Sequence, residues 1–223
     1  MAFDKPSAKT VAERAGIATP ASVVLPQSTF RELGAQVLLS SIVDRLGLPL
    51  VVKPSRGGSA LGTTVVRSAD DLPAAVVECF AYGQPALLEQ WIDGVEVAVS
   101  VIDTGEGPRA LPAVEIVPES GVYDYHARYT AGETAFYVPA RLGDAVARAT
   151  EATAVSAHSA LGLRDLSRTD IIVDDTDRPW LIDINVAPGM TETSLLPQSV
   201  AAAGLDLGIL ARDLLAVATD RRS

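Results

Sequence analysis

The chain contains 223 residues, and its 18 Lys and Arg residues against 28 Asp and Glu residues give a formal net charge of −10. An acidic chain of this kind lacks the basic footprint that binds phosphate backbones, so the composition argues against nucleic acid as a partner. Hydrophobic residues make up 48% of the chain and charged residues 21%, which is typical of globular proteins and excludes a disordered chain. The length favours one or two domains.

The single cysteine, Cys79, excludes an intrachain disulfide framework and a cysteine-based zinc site, and it favours a reducing compartment. The amino terminus contains an acid and a proline where a signal peptide has cationic and then apolar residues. No apolar run reaches the ~18 residues of a membrane span. We therefore expect a cytoplasmic protein without a membrane segment.

Helices and strands are mixed in the amino-terminal part. Asp4 and Pro6 begin a predicted helix that ends at Gly16, and Thr29 and Glu32 match a capping box that begins a single helix running to residue 46. The remaining apolar runs predict strands at residues 21–25, 50–53, 63–66 and 86–90, and a capped helix at residues 68–82.

The carboxyl-terminal part continues the mixed pattern. Strands are expected at residues 95–102, 113–117, 170–173 and 180–186, and helices at residues 144–161 and 195–218, the second broken near Gly204. Residues 122–130 show no clear period. Because strands and helices do not alternate strictly, the pattern predicts an α+β fold. A weak boundary near Gly94 predicts two closely packed lobes, residues 1–93 and 94–223.

A glycine-rich loop follows the strand that ends at Lys53, with the sequence KPSRGGSALG over residues 53–62. Glycines let the backbone approach a ligand closely and turn successive N–H groups toward an anion, and the ammonium of Lys53 adds charge. The loop is therefore a candidate phosphate cradle. It lacks the order of a Walker loop, and on these residues alone a flexible hairpin connection remains the alternative.

Acidic and amide side chains share one face of the last predicted strand pair. Residues two apart on a strand point the same way, which aligns Asp183 with Asn185 and Arg168 with Asp170. Three oxygen ligands of modest charge suit Mg²⁺ that keeps waters and is completed by phosphates, and the arginine would stabilise charge on a transferred phosphoryl group. A solvated acidic edge is the alternative.

A third candidate segment is the apolar strand that ends at Glu89, followed by Glu96 after a turn. An adenine pocket needs an apolar slot, a strand edge and a carboxylate for ribose. Taken in isolation, the two acids favour surface positions instead.

Taken in this order, the segments resemble the ATP-grasp superfamily and, within it, the central and C-terminal parts of D-alanine:D-alanine ligase. The matching segments are 4–5, 52–55, 58–62, 89–91, 94–96, 123–129, 139–140, 168–170 and 183–195. They cover nearly the whole chain. The resemblance implies an ATP-grasp fold with two α+β lobes and the nucleotide between them.

The resemblance also implies residue roles. ATP would be bound by Lys5, Lys53, Ser59, Glu89, Gln90, Trp91, Ile92, Glu96, Arg128 and Asn185, and Mg²⁺, or Mn²⁺ in its place, by Asp170, Asp183 and Asn185. Reacting groups would be contacted by Ser59, Tyr125, Arg128, Arg168 and Ser194, with Tyr125 and Arg128 on a mobile loop, and the second substrate by Gly189, Met190 and Ser194.

The implied function is an ATP- and Mg²⁺-dependent ligase that joins small amino-acid-like substrates through an acylphosphate and forms ADP. Three departures matter: the chain begins where the family's central domain begins, Asp183 replaces a glutamate, and Arg128 and Ala60 replace a loop lysine and a serine. If the amino-terminal domain is absent, we expect that a partner subunit or a second copy replaces it, or that a smaller substrate needs no such domain. The alternative is a catalytically silent ATP-binding homologue or fragment that acts with a partner.

Overall fold

The computed structural model describes residues 1–130, 132–191 and 193–221, with Ala35 described by its backbone alone. The helices are α1 (Lys5–Arg14), α2 (Gln27–Leu33), α3 (Ala35–Leu46), α4 (Leu72–Phe80), α5 (Tyr125–Tyr129), α6 (Asp144–Ala160), α7 (Leu195–Ala202) and α8 (Leu207–Asp220). The strands are β1 (Ser22–Leu25), β2 (Leu50–Pro54), β3 (Thr64–Val66), β4 (Ala86–Gln90), β5 (Val95–Ile102), β6 (Arg109–Ala110), β7 (Val114–Pro118), β8 (Thr134–Tyr137), β9 (Leu166–Val173) and β10 (Pro179–Asn185).

The first sheet is antiparallel, with strand order β1-β4-β2-β3. Alternation along the strands directs Val52 and Leu88, both fully buried, into a core with α3 and α4. The opposite face carries Val51, Lys53 and Glu89, with Val51 directly opposite Glu89 in the register. One face of this sheet therefore builds the core while the other presents charge.

The second sheet has strand order β10-β9-β5-β7-β8, with β6 paired to β5. Its outer face, including Val97, Val99 and Ile171, packs on α6. The inner face carries polar residues on neighbouring strands: Glu96, Arg168, Asp170, Asp183 and Asn185. Because Asp170 pairs with Asp183, and Arg168 with Asn185, the register brings these side chains together.

The amino-terminal segment connects the two sheets. Ala12 of α1 packs with Ala157 and Leu181 on the outer side of the second sheet, while the backbone N–H of Lys5 donates to the carbonyl of Ser55 at the end of β2, at 2.9 Å. The first sheet draws on residues 22–90 and the second on residues 95–185, but α1 packs on the second. The division at residues 93 and 94 stays a prediction.

The structure confirms the mixed α+β fold and corrects several elements. The single helix predicted to run to residue 46 is wrong, because Gly34 adopts φ 80° and ψ 124° and separates α2 from α3. The helix expected from residue 68 is a 3-10 turn, Ala69–Asp71, followed by α4. The short strands β6 and β8 and the five-residue helix α5 were not predicted, since elements this short carry little periodicity. Within the described residues, no helix has the length and apolar character needed to cross a bilayer.

Candidate functional site

A cavity of about 420 Å³ lies between the charged inner faces of the two sheets. All of the residues predicted to bind ATP or metal line it, and so does Arg168. They are Lys5, Lys53, Ser59, Glu89, Gln90, Trp91, Ile92, Glu96, Arg128, Arg168, Asp170, Asp183 and Asn185. The site is thus assembled from residues on separate strands and loops that the fold brings to one cleft.

One end of the cavity is an apolar slot. Val51 and Val65 of the first sheet and Ile172 of the second line it, beside the segment that crosses between the sheets at Trp91. Gly94 is required in that segment, because a Cβ there would lie 2.1 Å from the carbonyl oxygen of Val173. An apolar slot next to a strand end suits an aromatic base.

The other end of the cavity is cationic on the side of the first sheet. The Lys5 ammonium donates to the carbonyl oxygen of Gly57 at 2.7 Å and lies 3.7 Å from an Asp183 oxygen. Lys53 contacts one carboxylate oxygen of Glu89, and Lys9 donates to the other at 2.6 Å. Burial opposes the charge on Lys53, but Glu89 and Asp183 outweigh it and raise the pKa of Lys53, so the ammonium stays charged.

The second sheet supplies the opposite wall. Arg168 and Asp170 form a two-point ion pair, with distances of 2.7 Å and 2.9 Å, and Arg128 lies 4.0 Å from the same carboxylate. Burial alone would raise the pKa of Asp170, but the two arginines outweigh it and keep the pKa below its usual range. The arginine expected to meet a phosphoryl group is therefore held rigidly by its neighbour on the strand.

Asp183 and Asp170 form a carboxylate pair across β9 and β10. Burial and the nearby charge of Asp170 raise the pKa of Asp183, although Lys5 and Lys53 act against them. The two facing carboxylates repel each other, and a bound cation would relieve that repulsion. Together with the Asn185 amide oxygen beside them, they fit a hard divalent ion. Within the described residues, no group of three His, Cys, Asp or Glu side chains is arranged to hold a metal, so phosphate oxygens and waters would complete the shell.

Glu96 lies on the cavity wall between the apolar slot and these charges. Burial, and after it the charge of Asp170, raises the pKa of Glu96 to about 7, although Arg128 and Arg168 oppose the shift. A carboxyl group with this pKa changes charge near neutral pH.

Two loops meet over the cavity. The Tyr129 hydroxyl donates to Ser59 Oγ at 3.0 Å, which connects α5 to the glycine-rich loop. Arg128 lies over the Tyr123 ring at 4.1 Å from its centroid and points into the cleft. Tyr125 instead packs on Tyr129, with ring centroids 4.8 Å apart, and is half exposed. Tyr125 does not line the cavity, and its role stays a prediction.

The residues predicted to receive the second substrate lie beyond the cavity lining. Ser194 Oγ forms a hydrogen bond with Thr191 Oγ1 at 2.8 Å and lies against Gly189, where a Cβ would approach it to 2.6 Å. Met190 is 53% exposed. Glu192, within the segment that carries the family resemblance, lies outside the described residues. The roles of Gly189, Met190 and Ser194 also stay predictions.

Sequence reasoning missed Lys9 and Tyr129. Lys9 lies on α1, and its ammonium is buried against Glu89 and the carbonyl oxygen of Pro20, at 2.8 Å from that oxygen. A signal was present: the chain has three lysines in total, Lys5, Lys9 and Lys53, and the other two line the cavity. No comparable signal separates Tyr129 from its neighbouring tyrosines.

The chain is similar to proteins of known family. A family model described as D-ala D-ala ligase C-terminus matches residues 11–216. The D-alanine--D-alanine ligase of Pelotomaculum thermopropionicum is 37% identical over 99% of this chain and 69% of its own length. That of Bordetella petrii is 40% identical over 92% of this chain, which here covers 60% of the relative.

A solved structure, the D-alanine--D-alanine ligase from Bacillus anthracis complexed with ATP, superposes with a TM-score of 0.74 and 27% identity. The match covers 98% of this chain and 66% of that one. This chain thus spans about two thirds of the length of the proteins it resembles.

Proposed function

This chain belongs to the D-alanine--D-alanine ligase family and has its ATP-grasp fold, and from that membership we propose that it binds ATP with a divalent cation and joins a carboxylate to an amine. The observation that carries the proposal is the convergence of Lys5, Lys53 and the pair Asp170–Asp183 on one cavity between the sheets. Cations on one wall and carboxylates on the other fit a polyphosphate and its metal.

The nucleotide is oriented by the shape of the cavity. Its base enters the slot of Val51, Val65 and Ile172, and the ionised Glu96 accepts hydrogen bonds from the ribose hydroxyls. The polyphosphate then extends to Lys5 and Lys53, whose ammonium groups neutralise it. Asp170, Asp183 and Asn185 hold the divalent ion, and Mg²⁺, or Mn²⁺ in its place, supplies positive charge against the phosphate oxygens.

The reaction proceeds in two steps. A substrate carboxylate oxygen attacks the terminal phosphorus, the bond from that phosphorus to the bridging oxygen breaks, and ADP leaves as an acylphosphate forms. An amine then attacks the acyl carbon, inorganic phosphate leaves, and the nitrogen loses a proton as the amide forms. Arg168, held by Asp170, stabilises the charge of the transferred phosphoryl group, and Arg128 adds charge from the loop above it.

The proposal also includes the chemical class of the substrates. We expect small amino-acid-like molecules, because the relatives are named as D-alanine--D-alanine ligases. Gly189, Met190 and Ser194 would receive the second of them, with Ser59 and Tyr125 closing over the reaction. An ATP-consuming reaction of this kind suits a cytoplasmic location.

The experiment that tests the proposal measures ADP and phosphate release with ATP, Mg²⁺ and pools of small amino acids of both chiralities. Release that depends on a pool and disappears in Arg168→Met, while nucleotide binding persists, supports the proposed ligase. Absence of release with every pool, and with a second family member added as partner, contradicts it.

An ATP-binding protein without turnover is the second candidate, and the shorter Asp183 favours it, since this carboxylate already lies 3.7 Å from Lys5. Asp183→Glu lengthens the ligand by one methylene. Activity that appears only in Asp183→Glu supports the silent homologue, whereas activity in the unmodified chain excludes it.

A further inference from the structure

Lysine is used in this chain only around the cleft. The three lysines, Lys5, Lys9 and Lys53, all come together there, while the other 15 of the 18 basic residues are arginines. An ammonium is a compact point charge on a flexible stem, whereas a guanidinium is a planar group with a fixed fork of donors. Lys5 and Lys53 line the cavity. Lys9 does not, because it lies behind Glu89, so a different reason is needed for a lysine at this position.

Lys9, Glu89 and Lys53 form one buried cluster, named here the ammonium pair cluster. Lys9 is 4% exposed, Glu89 2% and Lys53 6%. Each Glu89 oxygen contacts a different ammonium, Lys9 on the side of α1 and Lys53 on the side of the cavity. The Lys9 ammonium is fixed further by the carbonyl oxygen of Pro20, at 2.8 Å.

The charge of the cluster depends on Lys9. Two ammonium groups around one carboxylate leave one positive charge, and the Lys53 end is the one that reaches the cavity. Without Lys9, Glu89 would neutralise Lys53 completely. A buried charge acts strongly across a low-dielectric interior. An entering phosphate would therefore be attracted more strongly to a cationic cluster than to a neutral pair.

We propose that Lys9 is a positioning residue for the nucleotide: by occupying one oxygen of Glu89, it leaves Lys53 with a full positive charge to offer the polyphosphate. The inference rests on the proposed ATP binding and extends it to a residue that does not touch the cavity. Its action is specific to the phosphates, because an uncharged base and ribose respond far less than a polyphosphate to a change of charge.

The experiment titrates a nonhydrolysable ATP analogue with Mg²⁺, and adenosine separately, into the unmodified chain and into Lys9→Met. We expect the variant to bind the ATP analogue at least tenfold more weakly and adenosine within twofold of the unmodified chain. A structural role for Lys9 would weaken both ligands alike, so an equal loss overturns the inference. Unchanged affinity for the ATP analogue also overturns it.

Removing the negative charge of Glu89 as well should restore binding of the ATP analogue. The double variant Lys9→Met, Glu89→Gln again has one positive charge at Lys53, so it should bind the ATP analogue at least threefold more tightly than Lys9→Met, and the absence of any gain overturns the inference. If Lys9→Met does not fold, the double variant is compared with Glu89→Gln alone. In this background Lys9→Met still removes one buried positive charge, so the ATP analogue should bind more weakly while adenosine stays within twofold, and an equal loss for both ligands overturns the inference.

The matched control is Arg14→Met, which removes a cation from an exposed position on the same helix. We expect its affinity for the ATP analogue to stay within twofold of the unmodified chain, and an equal loss in both variants would overturn a specific role for Lys9. If the unmodified chain itself fails to bind the ATP analogue, the proposed function fails and this inference with it. Binding by the unmodified chain with no effect of Lys9→Met overturns the inference alone.

Discussion

The two walls of the cleft both contain buried charge, but they balance it in opposite ways. On the first sheet, Lys9 and Lys53 share the single carboxylate of Glu89. On the second sheet, Asp170 and Asp183 face each other with Arg168 held by one of them. The first wall therefore has surplus positive charge, which suits phosphate binding. The second wall has surplus negative charge, which suits metal binding.

The largest expected effect comes from removing the cation of the first wall that reaches the cavity. Lys53→Met should lower the affinity for a nonhydrolysable ATP analogue at least a hundredfold, about 3 kcal/mol, because the buried ammonium has no substitute at that position. Calorimetry measures the affinity, and thermal unfolding checks that Glu89, still paired with Lys9, leaves the fold intact. An affinity within threefold of the unmodified chain would show that the phosphates bind elsewhere.

Removing charge from the second wall should affect the metal rather than the nucleotide. Asp183→Asn should reduce the gain in ATP-analogue affinity that Mg²⁺ provides about tenfold, about 1.4 kcal/mol, while affinity without metal stays the same or increases, since a negative charge next to Lys5 is lost. The control is Asp175→Asn, at an exposed position. Titrations with and without Mg²⁺ separate the two effects, and an equal loss in both titrations would argue against a metal role.

A smaller effect is expected from pH, through Glu96. Because its pKa is raised to about 7, Glu96 is protonated at pH 6 and ionised at pH 8, and the ionised form is the better acceptor for ribose hydroxyls. Affinity for the ATP analogue should therefore rise a few-fold between pH 6 and pH 8, and Glu96→Gln should flatten that rise. A rise of the same size in both proteins would assign it to the nucleotide's own ionisation.

The raised pKa of Glu96 also makes the free energy of unfolding of the free protein depend on pH. In the unfolded chain Glu96 ionises near its usual value of 4.5, whereas in the folded chain it stays protonated until about pH 7. Its contribution to the free energy of unfolding is therefore complete below pH 4.5 and is lost as the pH rises to about 7. Denaturant unfolding of the unmodified chain and Glu96→Gln across this range measures the difference, and parallel pH profiles would contradict it.

The smallest effect is expected at Cys79, behind the first sheet in the core with α4. Burial raises the pKa of its thiol to about 11, so the folded chain should not react with iodoacetamide at pH 8, and Cys79→Ala should bind the ATP analogue within twofold of the unmodified chain. Rapid alkylation, followed by mass spectrometry, would show that this core opens readily.

Strand periodicity and short motifs made much of this fold and site predictable. The pairs Arg168–Asp170 and Asp183–Asn185 follow directly from two-residue alternation, and the structure places both on the cleft face. Lys9 was missed because its role depends on α1 bringing its ammonium against Glu89 of the first sheet, a long-range contact that local patterns do not encode. The break at Gly34 was missed because a helical pattern on both sides masked the positive φ of one glycine.

In the proposed ATP complex, the polyphosphate lies between Lys5 and Lys53. Because the chain has three lysines, selective ¹⁵N-lysine labelling provides three side-chain signals, which single lysine variants assign. On titration with the Mg²⁺ complex of a nonhydrolysable ATP analogue, we predict large saturable shifts for Lys5 and Lys53 and a smaller one for Lys9. Saturable binding in calorimetry with the Lys5 and Lys53 signals unmoved would contradict it.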